Sequence, residues 1–306
     1  MDFCRDLPKA ELHVHLEGTV DPGTMRELAP ALSSEQLRLL YHCSGFAEFL
    51  QCFKRINERL RTPADYALVA RRAFERLRAE NVRYAEIILS AGVALWKEQD
   101  FGEIYDAVTA EAARSPVRVR WILDAVRHFG PEHVMRVAEL AVGLAGRGVV
   151  ALGIGGDEAR GPAGWFAGAY RFARSRGLHL HAHAGETCGP ASIWEALELG
   201  VERIGHGIRA VEDPVLIQHL RDRQIPLEIS ITSNVMTGAV ASLKEHPIRR
   251  LYDAGIPITL NTDDPGIFGT TLVDEYELAA REFDFTRGEL ETIAANGFRY
   301  AFDAGA

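Results

Sequence analysis

Short β-branched or apolar runs recur along the chain, each followed by a polar or glycine-rich joint and then by a helical pattern. Eight such runs are present, at residues 11–16, 84–90, 117–126, 149–154, 178–183, 203–206, 226–230 and 258–261. From the second onward they start roughly 25 to 35 residues apart, the length of one strand, one covering helix and two short joints. In residues 64–80, Tyr66, Val69, Ala70, Ala73, Phe74 and Leu77 fall on one face of a 3.6-residue period. Asp65 stands near the start of that stretch, where an acid suits the helix dipole. Residues 193–199 and 215–220 are shorter versions. Eight alternating strand and helix units close most naturally as a (β/α)8 TIM barrel. Two doubly wound domains are the rival arrangement. No composition break or linker divides the chain, so residues 1–306 are assigned to one barrel.

One interval breaks the rhythm. About 67 residues separate the first two runs, too many for one helix, so a helical insertion over about residues 17–83 must cover one end of the barrel. Within it Phe46, Phe49, Leu50 and Phe53 are spaced i, i+3, i+4, i+7. Such a stripe serves either as a core-facing seam or as the apolar face of a lid over a ligand.

Composition narrows the function classes. Hydrophobic residues at 47% and charged residues at 25% are ordinary for a globular chain, which excludes a disordered, collagenous or coiled-coil protein. Lys and Arg number 34 against 43 Asp and Glu, a net charge of −9, so broad duplex nucleic-acid binding is not expected. No apolar stretch is long enough to span a membrane, and no secretory signal is visible. The four cysteines, Cys4, Cys43, Cys52 and Cys188, form no C-x-x-C pair, as expected of a reduced, cytoplasmic protein with a small-molecule substrate.

The chemistry gathers where barrel enzymes carry it, at the C-terminal ends of the strands. The first run ends Glu11-Leu-His13-Val-His15-Leu-Glu17-Gly18, the fifth His181-Ala-His183-Ala-Gly-Glu186, the sixth Ile204-Gly-His206-Gly207, the eighth Asn261-Thr-Asp263-Asp264-Pro265. His13 and His15, two apart on a strand, point to one face. Imidazoles converging with a carboxylate form the N and O donor set that zinc takes up. His179, His181 and His183 also share a face. Only His183 lies at the strand end, so His179 and His181 are read as structural or supporting. Ser233 and Asn234 are read as support, Cys188 as a small buried residue, and the glycines at 153, 155 and 156 as too weak a match for a phosphate loop.

These motifs, with Pro8-Lys-Ala-Glu-Leu-His-Val-His-Leu-Glu-Gly18, Arg203-Ile-Gly-His-Gly207 and Thr232-Ser-Asn234, resemble the adenosine deaminase family of the amidohydrolase superfamily. They stand in the family's order, and the likeness runs from about residue 8 to about residue 300. The resemblance implies one Zn2+ per chain, with His13, His15, His183 and Asp263 as its ligands. It implies Glu186 as the acid serving purine N1 and His206 as the base that positions and deprotonates the attacking water. Asp264 matches the partner of purine N7 and Gly156 a backbone donor to N3. Phe46, Phe49 and Phe53 fall where the family has its substrate lid, and Glu17 where a side chain contacts the 5′ end of the sugar.

The chemistry suits that assignment. Replacing an aromatic amino group needs a nucleophile at neutral pH, an activated ring and a proton for ammonia. Zinc lowers the pKa of water from 15.7 to about 7, and burial keeps an acid protonated for N1. The absence of C-x-x-C excludes the cytidine-type zinc deaminase design. The fourth run, Val149-Val-Ala-Leu-Gly-Ile-Gly-Gly-Asp157, has no Lys to bridge a second metal, as binuclear superfamily members often do. Adenosine-specific members usually have Asp where this chain has Glu17. The family also acts on adenine, N6-modified purine nucleotides and 6-aminodeoxyfutalosine. Its adenine deaminases tend to carry Asp where this chain has Gly205. A purine nucleoside, adenosine or a 5′-substituted derivative such as 6-aminodeoxyfutalosine, is therefore the expected substrate.

Overall fold

The fold is described from a computed structural model covering residues 2–303. Eight strands, β1 (Lys9–His15), β2 (Val82–Leu89), β3 (Arg118–Val126), β4 (Val149–Gly155), β5 (His179–Ala184), β6 (Arg203–His206), β7 (Leu227–Ile229) and β8 (Ile258–Leu260), pair in parallel in sequence order. Each lies within two residues of a run predicted from the pattern. Strand β1 starts two residues early at Lys9, which is fully buried because its Nζ donates to the carbonyls of Cys4 and Leu7 at 2.7 Å.

The seam between the last and first strands closes by unusual means. The short β8 ends at Leu260, and Asp263 alone bridges to β1, donating to His13 O at 3.1 Å and accepting from His15 N–H at 2.8 Å. Below it the Asn261 side chain accepts from the N–H groups of Leu12 and His13 at 2.9 and 3.1 Å. A side chain thus does the work of a strand backbone, and the same contacts fix Asp263 beside the H-x-H motif.

The helix Pro63–Ala79 buries all six predicted apolar residues. It starts at a capping box, Thr62 with Asp65, worth about 1 kcal/mol. The insertion before it holds three more helices, Pro22–Leu28, Ser34–Leu40 and Phe46–Asn57. The last of these lies across the C-terminal mouth of the barrel: Phe49 stacks on Phe268 and Phe53 meets the His15 ring edge-on at 6.1 Å.

Candidate active site

A cavity of about 350 Å³ opens at the C-terminal ends of the strands. Its floor is formed by His15, Asp124, His183, Glu186, His206, Asp263 and Asp264, and its roof by Phe46, Phe49, Leu50 and Phe53. The Phe46–Phe53 stripe faces the cavity, and Phe49 is also packed into the core.

His13 lies just beneath the floor, fully buried. Its Nδ1 faces Glu228 Oε2 at 2.8 Å. A carboxylate accepts, so Nδ1 carries the proton and Nε2 presents a lone pair. His183 Nδ1 likewise donates to Ile154 O at 3.0 Å, leaving its Nε2 bare. These nitrogens turn toward common ground: His15 Nε2 is 3.1 Å from His183 Nε2, and Asp263 Oδ1 is 3.2 and 3.3 Å from the Nε2 atoms of His13 and His15. Donors about 2.0–2.1 Å from one ion stand about 2.9–3.4 Å apart in octahedral to tetrahedral geometry. These spacings are those of donors to a single metal ion, and His13, His183, His206 and Asp263 place one donor atom each within 4.8 Å of one another, with His15 joined to the group through Asp263 and His183. Burial works against a charge on His13, but hydrogen bonds to Asp263 and Glu228 outweigh it and raise its pKa to about 10. A proton and a metal thus compete for one nitrogen. Burial would also raise Asp263, yet the hydrogen bonds from His13 and His15 hold it well below the usual carboxylate range.

Supporting residues surround this set. Ser233 Oγ donates to Asp263 Oδ2 at 2.6 Å, and Asn234 Nδ2 lies 3.0 Å from His206 Nδ1. His181 does not reach the cavity; it bonds Glu228 Oε2 at 2.8 Å from below. His179 sits at the opposite end of β5, partly exposed and paired with Glu202. His206 and Asp263 both adopt left-handed backbone (φ +63° each), a conformation that costs a non-glycine residue roughly 1–3 kcal/mol and clusters at functional sites.

Burial shifts three carboxyls on the floor toward their neutral forms. Burial, with Asp263 nearby, pushes Glu186 well above the ordinary range, and burial and Asp263 do the same to Asp264. Burial raises Asp124 to about 8. His206 Nε2 is 3.8 Å from Glu186 Oε2 and 4.0 Å from Asp263 Oδ2. Asp264 fits only because residue 18 is glycine: a Cβ there would stand 1.8 Å from Asp264 Oδ1. The glycines of β4 have a similar cause, since a Cβ at Gly153 or Gly155 would approach Asp124 to 2.9 Å. Gly156 lines the cavity with φ +89°. Gly205 is also explained by packing, because a Cβ there would meet His13 Cε1 at 2.6 Å.

Glu17 is buried, and its carboxylate accepts from the Ser90 N–H and Oγ, both at 3.1 Å. Ser90, not Glu17, lines the cavity. Cys188 is half-buried rather than buried, and burial pushes its thiol up, away from reactivity.

Three residues were not singled out by sequence reasoning. Asp124 and Glu228 are lone acids within apolar strand runs, which is their visible signal. Glu158 is buried beneath the Glu186 loop, where it accepts from the N–H groups of Gly185, Glu186, Thr187 and Cys188 at 2.8, 2.9, 2.8 and 3.3 Å.

Known proteins share this architecture. The aminodeoxyfutalosine deaminase of Streptomyces coelicolor is 38% identical over 98% of this chain and 81% of its own length. The adenine deaminase of Rhizobium leguminosarum bv. trifolii is 35% identical over 97% of this chain and 95% of its own. Among solved structures, an amidohydrolase from Burkhoderia ambifaria with bound Zn superposes with a TM-score of 0.91 at 26% identity, covering 99% of this chain and 88% of that one. The Arabidopsis N6-mAMP deaminase superposes with a TM-score of 0.90 at 27% identity, covering 100% and 96%. No helix among the described residues is long and apolar enough to cross a membrane. The family model for adenosine deaminase matches residues 8–304, and the chain belongs to that family of metal-dependent hydrolytic deaminases acting on C–N bonds.

Proposed function

We propose that this protein is a zinc-dependent aminohydrolase that replaces the 6-amino group of a purine nucleoside, adenosine or an adenosine derivative, by oxygen and releases ammonia. The observation that carries the reading is the cluster of His13, His15, His183 and Asp263, linked by donor spacings of 3.1 to 3.3 Å, beside carboxyls whose pKa burial raises.

His13, His15, His183 and Asp263 would hold the zinc, which would supply a water-derived nucleophile at neutral pH. The chain's own residues do the rest. A purine presents acceptors at N1, N3 and N7. Glu186, neutral in its buried site, delivers its proton to N1 and makes C6 electrophilic as oxygen attacks. Asp264, also neutral, donates to N7, and the Gly156 N–H donates to N3. His206 holds the attacking water. As the C6–O bond forms and the C6–N bond breaks, one proton of the attacking water goes to the amino nitrogen, which leaves as ammonia, and the other returns to the Glu186 carboxylate, so that the product keeps the N1 proton and a C6=O bond. Phe46, Phe49 and Phe53 cover the ring and exclude bulk water.

A 5′-substituted nucleoside such as 6-aminodeoxyfutalosine is the second reading. Two features favour it: the cavity runs outward past Ser90 to Trp96 and Phe129, and Glu17 is turned to Ser90 instead of lying in the cavity. The test is ammonia release by zinc-loaded protein from adenosine, adenine, methylthioadenosine and 6-aminodeoxyfutalosine. Deamination of the nucleosides above the free base is expected. Adenine as the preferred substrate would overturn the nucleoside assignment, and no turnover of any of the four would overturn the enzyme reading.

A further inference from the structure

His206 is held from behind by a chain of hydrogen bonds that begins at a backbone amide. The Ile248 N–H donates to His246 Nδ1 at 3.2 Å, His246 Nε2 stands 3.1 Å from Asn234 Oδ1, and Asn234 Nδ2 stands 3.0 Å from His206 Nδ1. All four residues are buried.

The direction of each bond follows from the first. A backbone N–H can only donate, so His246 Nδ1 must carry a lone pair and the ring proton must sit on Nε2. Burial holds His246 neutral, with its pKa lowered to about 3. That Nε2–H needs an acceptor, and in the Asn234 amide only the oxygen is one. The amide nitrogen is therefore turned to His206, and its N–H occupies the lone pair on His206 Nδ1. Neutral His206 must then carry its own proton on Nε2, the atom that faces the cavity.

We propose that His246 is a positioning residue that acts through Asn234 to fix His206 as its Nε2–H tautomer, so that His206 offers a hydrogen-bond donor, not a bare nitrogen, to the attacking oxygen. This rests on the assignment of His206 to that oxygen made above. It replaces the base role implied by the family resemblance. An imidazole backed by a carboxylate at Nδ1, as His13 is by Glu228, has a bare Nε2 that can bind a proton or a metal. His206 is backed by an amide N–H instead. Reversing that amide would set N–H against N–H at His246, so the polarity is locked.

The tautomer can be read without substrate from the ring nitrogens of His206 in long-range 1H–15N spectra of zinc-loaded, 15N-His-labelled protein. Nε2–H is expected in the parent. His246→Gln keeps an acceptor for Ile248 and a donor for Asn234, and should keep the tautomer and most of kcat. His246→Leu removes the donor, and should let His206 shift toward Nδ1–H and lower kcat about tenfold or more, with little change in KM. Asn234→Asp puts a carboxylate at Nδ1 and should move the proton there even if His246→Leu fails to fold. A parent enzyme with Nδ1–H, or a tautomer unmoved in both His246→Leu and Asn234→Asp, would overturn the proposal. An Nε2–H parent that deaminates nothing would sink the functional reading and leave the relay standing.

Discussion

Replacing Glu158 by Gln isolates a residue that touches no substrate yet holds the loop bearing Glu186. Oε1 accepts from the N–H groups of Glu186, Thr187 and Cys188 and from Thr187 Oγ1, while Oε2 accepts from the Gly185 N–H and Ser192 Oγ. Burial would raise this acid, but the Ser192 hydroxyl, the loop N–H groups and nearby Arg127 outweigh it and lower its pKa from 4.5. In the Gln variant the amide oxygen can serve one set of donors. Its NH2 group then meets the Gly185 N–H, donor against donor. One orphaned N–H costs about 1–3 kcal/mol, and the surviving bonds fall from charge-assisted to neutral strength, so a loss of about 2–4 kcal/mol follows. With an unfolding entropy of about 2.1 cal/mol/K per residue, that lowers Tm by about 3–6 °C. Because a misplacement of about 1 Å can cost about 100-fold in rate, kcat should fall ten- to a hundredfold, with zinc content kept. The stabilisation from a lowered acid is present above its unfolded pKa and lost as pH falls through the folded one. The Tm gap should therefore be widest near neutrality and narrow below about pH 4.5. Thermal unfolding across pH, with ammonia release at pH 7, checks both. A Tm within about 1 °C of the parent and an unchanged kcat would refute the reasoning.

Other outcomes follow from the same geometry. Glu186→Gln should cut kcat by about 10²–10⁴ while an inosine-type product still binds, measured by turnover and calorimetry; unaltered kcat would remove Glu186 from the chemistry. His15→Ala should lower the zinc retained after dialysis from one per chain to well below it, as read by elemental analysis. Glu11 accepts from Thr262 N–H at 2.9 Å, and burial raises its pKa to about 8. A raised acid stabilises the fold below its unfolded pKa and loses that contribution as pH climbs through the folded value. Glu11→Gln lacks this slope, so its Tm should gain on the parent from pH 5 to pH 9; parallel curves would contradict this.

What could be read from the sequence was what repeats or stands at a strand end. The H-x-H of β1 and the Asp-Asp pair after β8 declare themselves because period-two spacing and barrel order place them at one mouth. The Phe46–Phe53 stripe shows its period, but period alone does not say what lies opposite the greasy face. Glu228 and Glu158 were hidden for a different reason. Each acts on atoms remote in sequence, Glu228 on His13 across 215 positions and Glu158 on a loop 27 to 34 residues ahead. Only closure of the barrel brings those atoms within reach. Gly205 shows the converse hazard: its lack of a side chain reads as a substrate signature, yet the His13 ring already requires it.

The site sorts one kind of side chain into two kinds of chemical tool. Asp263, Glu228 and Glu158 are buried, yet each has partners that favour its charge: the Ser233 hydroxyl and the His13 and His15 rings for the first, His13, His181 and Arg203 for the second, four loop amides for the third. They stay charged and hold cations, imidazoles and backbone in place. Glu186, Asp264 and Asp124 are as buried, but Thr237 beside the first and Arg127 near the third do not outweigh burial, and Asp263 stands near the first two. They keep their protons. Were Glu186, Asp264 and Asp124 ionised beside Asp263, the floor would carry four like charges packed together. Protonated, Glu186 and Asp264 become donors, and a heteroaromatic ring that offers only acceptors at N1 and N7 can be gripped by acids. The chain's net charge of −9 thus leaves the substrate a site that, on the proposed assignment, is lined with donors rather than negative charge.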